Sequence, residues 1–600
     1  MAEKLQFVLI TDCGTGITSA VLLERTADGF KLTARGEAAT TVDPPHSDVT
    51  AGVKKAILAI EQKTGRTLLK PDGEGVITPS SGNSGVDLYL SASSTGGGLQ
   101  MMVAGLVRIM TAESAERAAL GAGAMVMDVI SIDDGRLAHE KIQRLRELHP
   151  DMVLLSGGID GGNYGYVLEL AEHIRAAKLD SNLPIIYAGN VDAQDRVGLI
   201  LQNKARLFYV DNVRPVLEKE VLEPAGREIH RRFMEHVVAR APGYDKLAKW
   251  SEMSILPSTA AIGYIIEAIA KAEQQDILAI NIGEATTDVF SSFSDRFTRT
   301  VSGDLGVGSS LSNVVLEAGT RNILRWLPFE LGEGELRNVL RNRSLHPYNR
   351  PEGDEELMIE HAVTREIIRL SIEQHKSSVV GLRGVRRQRD ISNVFDQKGS
   401  EESMYNPMSL ARIVASGTPF RLADNPRQVM AMLVDAIEPL GVTQLTVDRH
   451  FTAPHFGMLT TVDKQAALHS FLREGIMHLG TAIRPAGEIK HGESCLGVRL
   501  VDQNGQEYSE SFSGGELRLW DLPEGAYAAH ITPAAGLDVG AGKGKMRTCT
   551  VVSGVCGILV DTRNSVSLAK ADISAARRAE VSRWYSSLDA YPVVKGEWSN

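Results

Sequence analysis

Cysteine is scarce: the 600 residues contain four, Cys13, Cys495, Cys549 and Cys556. None forms a C-x-x-C pair, which leaves no disulfide framework and no recognisable spacing for an iron–sulfur cluster. Reduced thiols are the expectation. Positive charge is also short, since 64 Lys plus Arg face 75 Asp plus Glu for a formal net charge of −11. General attraction to nucleic acid is therefore excluded as a working reading. No apolar run approaches the ~20 residues needed to cross a bilayer, and the opening Met1-Ala2-Glu3-Lys4-Leu5 lacks a signal-peptide layout. A cytoplasmic location, with no membrane and no nucleic-acid partner, is expected.

Glycine, by contrast, is plentiful, and two of its clusters are informative. Asp12-Cys13-Gly14-Thr15-Gly16-Ile17-Thr18-Ser19-Ala20 lies between the strand-like runs Phe7-Val8-Leu9-Ile10 and Val21-Leu22-Leu23. Asn281-Ile282-Gly283-Glu284-Ala285-Thr286-Thr287-Asp288-Val289 lies between Ile277-Leu278-Ala279-Ile280 and Val289-Phe290. In such turns glycine lets the backbone approach a phosphate, backbone N–H groups face the anion, and hydroxyls and a carboxylate organise a hydrated metal. The repetition reads as a pair of phosphate-holding hairpins. It resembles the actin, Hsp70 and sugar-kinase ATPase superfold, in which two such hairpins from two similar lobes grip ATP.

The length suits roughly three to five folding units. Residues 1–92 read as a half-lobe carrying the first hairpin, with Val49, Val53, Ala56, Ile57 and Ile60 as the apolar stripe of a helix. Residues 93–222 read as an α/β insertion with strands at Met101–Val107, Met125–Ile130, Met152–Leu155, Pro184–Tyr187 and Leu207–Val210. Its loops Ser156-Gly157-Gly158-Ile159-Asp160-Gly161-Gly162-Asn163 and Ala188-Gly189-Asn190 fall at carboxyl ends of strands, where either a ligand site or simple chain reversal would use them. Residues 223–484 form the second lobe. Within it, the stretch from about Glu330 to Ser403, with its basic cluster Arg383, Arg386, Arg387 and Arg389, reads as charged and mostly helical, a solvated face or mobile loop rather than a partner-docking segment. Residues 485–600 read as a C-terminal β domain closed by a helix from about Ala571 to Leu588. The fold class expected is thus α/β, a two-lobed actin-like ATPase with an α/β insertion and a C-terminal β domain.

Several further stretches, in order, resemble the glutamate mutase L accessory proteins: Ser93–Met101, Thr111–Ala124, Ser156–Asn163, Asp211-Asn212-Val213, Leu256–Ala260 and Val301–Val307. That family is encoded beside adenosylcobalamin-dependent mutases and is regarded as a reactivating chaperone. The resemblance implies ATP or ADP with Mg²⁺ as ligands and such a mutase as partner, with cobalamin handled through the partner rather than by a binding motif of this chain. Self-association stays open. Asp12 is the expected organiser of metal-bound water and the metal residue, with Asp288 or Asp304 positioning the attacking water. Gly14, Thr15, Gly16, Thr18, Gly283, Ala285, Thr286 and Thr287 are the expected phosphate contacts, and the Gly417 turn packs beneath adenine in the superfold.

The chain departs from the family's Asp-x-Gly-Gly-Ala-Thr-Thr-Asp-Val at two positions, where Asn281 replaces the first aspartate and Glu284 the second glycine. A lost carboxylate and a carboxylate placed near phosphate both bear on hydrolysis more than on binding. Two other readings therefore stand beside an ATP-dependent reactivating chaperone with weak ATPase activity. One is a non-hydrolysing nucleotide-binding scaffold, and the other a small-molecule kinase of the same superfold. Asp448-Arg449-His450-Phe451-Thr452-Ala453 has Ala453 where a cobalamin-binding loop has glycine, and reads as an ordinary strand-end loop. Leu537–Gly544 is not a Walker loop, because Leu537 stands where its first glycine belongs and Gly544 where Ser or Thr belongs. His450 and His455 lack companion ligands for a metal.

Overall fold

The computed structural model describes residues 5–94, 99–236, 242–346, 349–379 and 403–592. The basic cluster at Arg383, Arg386, Arg387 and Arg389 lies outside the described residues, as do residues 95–98 of the Ser93–Met101 match. The chain divides into two units. One comprises residues up to Ile265 together with Pro454–Ser470. The other contains Ile266–Val379, Met404–Ala453 and the residues from Phe471 onward.

In the first unit, β1 (Phe7–Cys13), β2 (Ile17–Thr26) and β3 (Gly29–Ala39) form an antiparallel meander, followed by the helix Val49–Thr64 and then β4 (Leu88–Ser93). Asp48 caps that helix by accepting from the Thr50 N–H, and Gly65, at φ 69°, ends it. Its expected stripe, Val49, Val53, Ala56, Ile57 and Ile60, is buried against Leu9 and Leu22 of the sheet. The short β10 (Leu256–Pro257) completes the spatial order β3-β2-β1-β4-β10, with β4 and β10 parallel to β1.

Between β4 and β10 lies a doubly wound domain of five parallel strands. They are β5 (Gln100–Gly105), β6 (Met125–Ser131), β7 (Met152–Leu155), β8 (Pro184–Tyr187) and β9 (Arg206–Tyr209), ordered β6-β5-β7-β8-β9. Side chains of β5 alternate between two cores: Met101 and Val103 join Leu154 and Ile186 on one face, while Met102 and Ala104 join Val153 and Ile185 on the other. Burial on both faces explains why these strands are continuous apolar runs.

The second unit repeats the opening pattern with β11 (Asp276–Ile282), β12 (Thr287–Phe293), β13 (Arg296–Ser302), β14 (Leu410–Gly417) and β15 (Gly441–Asp448), ordered β13-β12-β11-β14-β15. Here too the first three strands are antiparallel and the next two run parallel to the first. The duplicated order, read in chain sequence as 3-2-1-4-5, is that of the actin-like ATPase fold. The second sheet is extended by β16 (Ile476–Arg484), β22 (Gly557–Asp561) and β19 (Leu517–Trp520) to eight strands. Four others, β17 (Ser494–Val501), β18 (Glu507–Ser513), β20 (Gly525–Pro533) and β21 (Arg547–Ser553), make a separate antiparallel sheet. Residues after 485 therefore serve two sheets, and Val581, Tyr585 and Leu588 of the terminal helix Ala575–Leu588 join the same core as Leu445 and Leu479.

One expectation is corrected within the second lobe. The helix Asp354–Ser378 is not a solvated face, because Leu357 through Ile368 are all buried. Two of its buried charges are paired: Arg365 with Asp435 at 2.7 Å and Glu366 with Arg325 at 2.7 Å. Paired in this way, charged side chains are tolerated in a core.

Candidate phosphate-binding hairpins

Both turns close in the same way. The Gly14 N–H donates to the Ile17 carbonyl at 3.0 Å, and the Gly283 N–H to the Thr286 carbonyl at 2.9 Å. Cross-strand register then equates Asp12↔Ser19 in the first hairpin with Asn281↔Asp288 in the second. The two hairpins thus carry their carboxylate on opposite strands. A Cβ on Gly14 would stand 2.7 Å from the Ile17 carbonyl oxygen, so the turn requires glycine there.

Asp12 ends β1 with 2 % exposure and accepts a hydrogen bond from the Ser258 hydroxyl at the start of the helix Ser258–Glu273. Burial pushes its carboxyl up to about 6, against the lowering influence of Ser258 and of the Arg35 charge. Across the ladder, the Ser19 hydroxyl lies 3.2 Å from His455 Nε2, which brings His455 into this unit's hairpin. Thr15 is exposed at the tip and Gly14 and Gly16 are partly exposed, leaving the turn accessible. Thr18 is buried, and its hydroxyl meets that of Thr40 at 3.0 Å, bracing the turn from behind.

The second hairpin is held differently. Val307 and Gly308 donate backbone N–H groups to the carbonyls of Gly283 and Glu284 at 3.1 and 2.8 Å, while the Ser310 hydroxyl binds the Ala285 carbonyl at 2.7 Å. Gly283, Glu284, Ala285 and Thr286 remain partly exposed. Thr287, however, is buried with its hydroxyl on the Leu305 carbonyl at 2.7 Å. Asp288, 1 % exposed, accepts from Arg299 Nε and Nη2 at 3.1 and 2.5 Å. Its charge is neutralised inside the sheet, and Asp304 is exposed in the turn after β13.

Asn281 is 8 % exposed and its Oδ1 accepts no hydrogen bond. An orphaned acceptor at the end of β11 fits a donor such as a water of a hydrated cation. Gly417 ends β14 beside Ile282 at φ 111°, and a Cβ there would come within 2.1 Å of the Ile282 carbonyl oxygen. Strand packing alone demands this glycine. Among the described residues no three His, Cys, Asp or Glu side chains form a metal-ligand cluster, and no helix is long and apolar enough to cross a membrane. The Asp448 loop is structural: its carboxylate accepts the N–H groups of Thr452 and Ala453 at 2.8 and 2.7 Å and starts the helix Ala453–Leu459. His450 is exposed.

Sequence reasoning gave Ser258 and Arg299 no role and weighed His455 only as a metal ligand. Ser258 lies within a stretch already matched to the family, but nothing local indicated that it reaches Asp12.

A family profile described as MutL protein matches residues 8–474. The chain belongs to the MutL protein family. A curated member, Protein MutL of Clostridium tetanomorphum, is 30 % identical over 389 residues, covering 61 % of this chain and 78 % of the relative. Among solved structures, a nucleotide-free acetone carboxylase aligns at 11 % identity with a TM-score of 0.34, covering 84 % of this chain and 81 % of that one. Gluconate kinase from Lactobacillus acidophilus gives 11 %, 0.31, 79 % and 93 % in the same order. The activator of 2-hydroxyisocaproyl-CoA dehydratase from Clostridium difficile, with ADPNP bound, gives 10 %, 0.23, 78 % and 94 %. Superpositions this loose transfer no residue roles, and the fold assignment rests on the duplicated strand order.

Proposed function

We propose that this MutL protein binds ATP or ADP through its two glycine turns and uses nucleotide exchange or slow hydrolysis to reactivate an adenosylcobalamin-dependent mutase of the glutamate mutase class. The observation that carries the nucleotide reading is the repeated turn, each with the same Gly N–H to carbonyl closure and each accessible beyond a buried polar side chain, Asp12 or Asn281. Family membership carries the partner.

The residues divide the work. At each turn the backbone N–H groups would serve phosphate oxygens, and Thr15 and Thr286 would each add a hydroxyl. Asp12, ionised above its raised pKa of about 6, would accept from a metal-bound water at the first hairpin, and the unmatched Asn281 Oδ1 could do the same at the second. Mg²⁺, when bound, supplies positive charge to the phosphate oxygens. Ser258 fixes the Asp12 carboxylate, and Ser19 with His455 lines the neighbouring strand.

The scaffold reading retains one specific support. Asp288 is neutralised by Arg299 and Asn281 carries no charge, so the second hairpin has no uncompensated carboxylate at either ladder position. Basal hydrolysis is accordingly expected to be slow, with binding intact. Calorimetry with MgADP and MgATP on the wild type and Asp12→Ala tests the clamp. Binding by the wild type and its loss in the variant are expected, and a folded wild type that binds neither nucleotide would refute the reading.

A further inference from the structure

The family-matched loops of the doubly wound domain take no part in the hairpin chemistry, yet they are built with care. Asp160 Oδ1 accepts from the Val191 N–H and from Asn212 Nδ2 at 3.1 and 2.9 Å, Asn190 Nδ2 donates to the Gly162 carbonyl at 3.1 Å, and Asp192 accepts from the Gly161 N–H at 3.0 Å. Asn212 Nδ2 also reaches the Gly158 carbonyl at 2.9 Å. The loops after β7, β8 and β9 are thereby tied into one platform. All five strands are parallel, so all five following loops lie at the same end of the sheet.

That end presents large apolar side chains. Each of the five connections contributes one to solvent: Ile109 after β5, Leu137 after β6, Tyr166 after β7, Val191 after β8 and Val216 after β9, all between 45 and 61 % exposed. Single exposed apolar residues are ordinary, but here every loop at one sheet end supplies one. The same loops expose five carboxylates, Asp133, Asp160, Asp192, Asp211 and Glu218, against the exposed cation Lys219, while Arg108 and Arg136 are partly exposed and paired with Glu116 and with Asp128 and Asp134. The network that rigidifies the loops spares an incoming partner the ordering cost of docking on them.

We infer that the carboxyl end of this sheet is a docking face for a protein surface combining apolar side chains with Lys and Arg. On the reading above, that surface belongs to the mutase. Charge selects among occupants: a second copy of the face, an anionic membrane and nucleic acid would all meet like charge, whereas a basic, apolar protein surface is complementary.

The experiment measures association of the full chain with adenosylcobalamin-dependent glutamate mutase holoenzyme, for the wild type, Ile109→Asp/Val191→Asp and Asp211→Lys/Glu218→Lys. All four positions are exposed, and thermal melts and MgADP affinity check that each variant is folded. Expected are at least a tenfold weaker Kd for the apolar double variant and a shallower salt dependence for the charge reversal, with MgADP affinity unchanged. Wild-type binding that both variants retain within twofold would overturn the docking face alone. A wild type that does not bind the mutase would overturn both this face and the mutase reading. Dimerisation of the wild type that the apolar variant abolishes would assign the face to a second copy and likewise overturn the inference.

Discussion

Replacing Asp12 by Asn is expected to stabilise the folded protein while removing its nucleotide function. The Asp12 carboxyl lies at about 6 in place of 3.8, chiefly because it is buried. For an acid whose folded pKa is raised, the associated stability is fully present below the unfolded value and lost as pH rises through the folded one. A difference of about 2 pH units at roughly 1.4 kcal/mol each makes the ionised carboxylate a burden of about 3 kcal/mol above pH 7, fading to nothing below about pH 4. Asn keeps an acceptor for Ser258 and removes the charge. At roughly 2–4 °C per kcal/mol for a unit of this size, Asp12→Asn is expected to raise the melting temperature at pH 8 by about 6–12 °C. At pH 4 the two proteins should melt together. Scanning calorimetry from pH 4 to 8 without nucleotide, alongside MgADP titration at pH 8, reads both effects. A variant no more stable at pH 8 would refute the argument that a charged carboxylate is held here at a cost for function.

Other perturbations follow from the second unit. Arg299→Leu leaves Asp288 charged and unpaired in the sheet, and a loss of about 3–5 kcal/mol is expected in denaturant unfolding; a loss under 1 kcal/mol would mean that water reaches Asp288. Asn281→Asp adds a carboxylate where an acceptor is unmatched, and steady-state phosphate release at saturating MgATP is expected to rise. An unchanged rate in the folded variant would show that Asn281 does not limit turnover. Ending the chain after Pro485 removes β19, β22 and the helix Ala575–Leu588 from the second unit's sheet and core, so the product is expected to be insoluble or to lose its cooperative melt. A soluble fragment with unchanged nucleotide affinity would instead favour an independent C-terminal domain.

What sequence made legible here is local chemistry. Turn glycines and their flanking apolar runs announced both hairpins, because a tight turn is decided by the few residues within it. Met152–Leu155 and Pro184–Tyr187 coincide with β7 and β8 because a strand buried on both faces must be a continuous apolar run. Long-range pairing is where the reading failed. Thr18 and Thr287 look like phosphate-facing hydroxyls until Thr40 and the Leu305 carbonyl are seen to engage them. The charges of Asp354–Ser378 imitate a solvated face because their partners, Asp435 and Arg325, are remote in the chain. Likewise β19 and β22 look like members of a small glycine-rich β domain, although their backbone partners belong to the larger sheet.

Nucleotide-driven reactivation can be measured in one assay. Glutamate mutase inactivated during turnover is incubated with adenosylcobalamin, Mg²⁺ and this protein, with ATP or with a non-hydrolysable analogue, beside matched samples containing Asp12→Ala. Recovery of mutase activity with wild type and ATP, together with a nucleotide-dependent Kd for the mutase, is expected; the Asp12→Ala sample should stay inactive. Equal recovery with Asp12→Ala, or none with the wild type while its nucleotide binding is intact, would contradict nucleotide-driven reactivation.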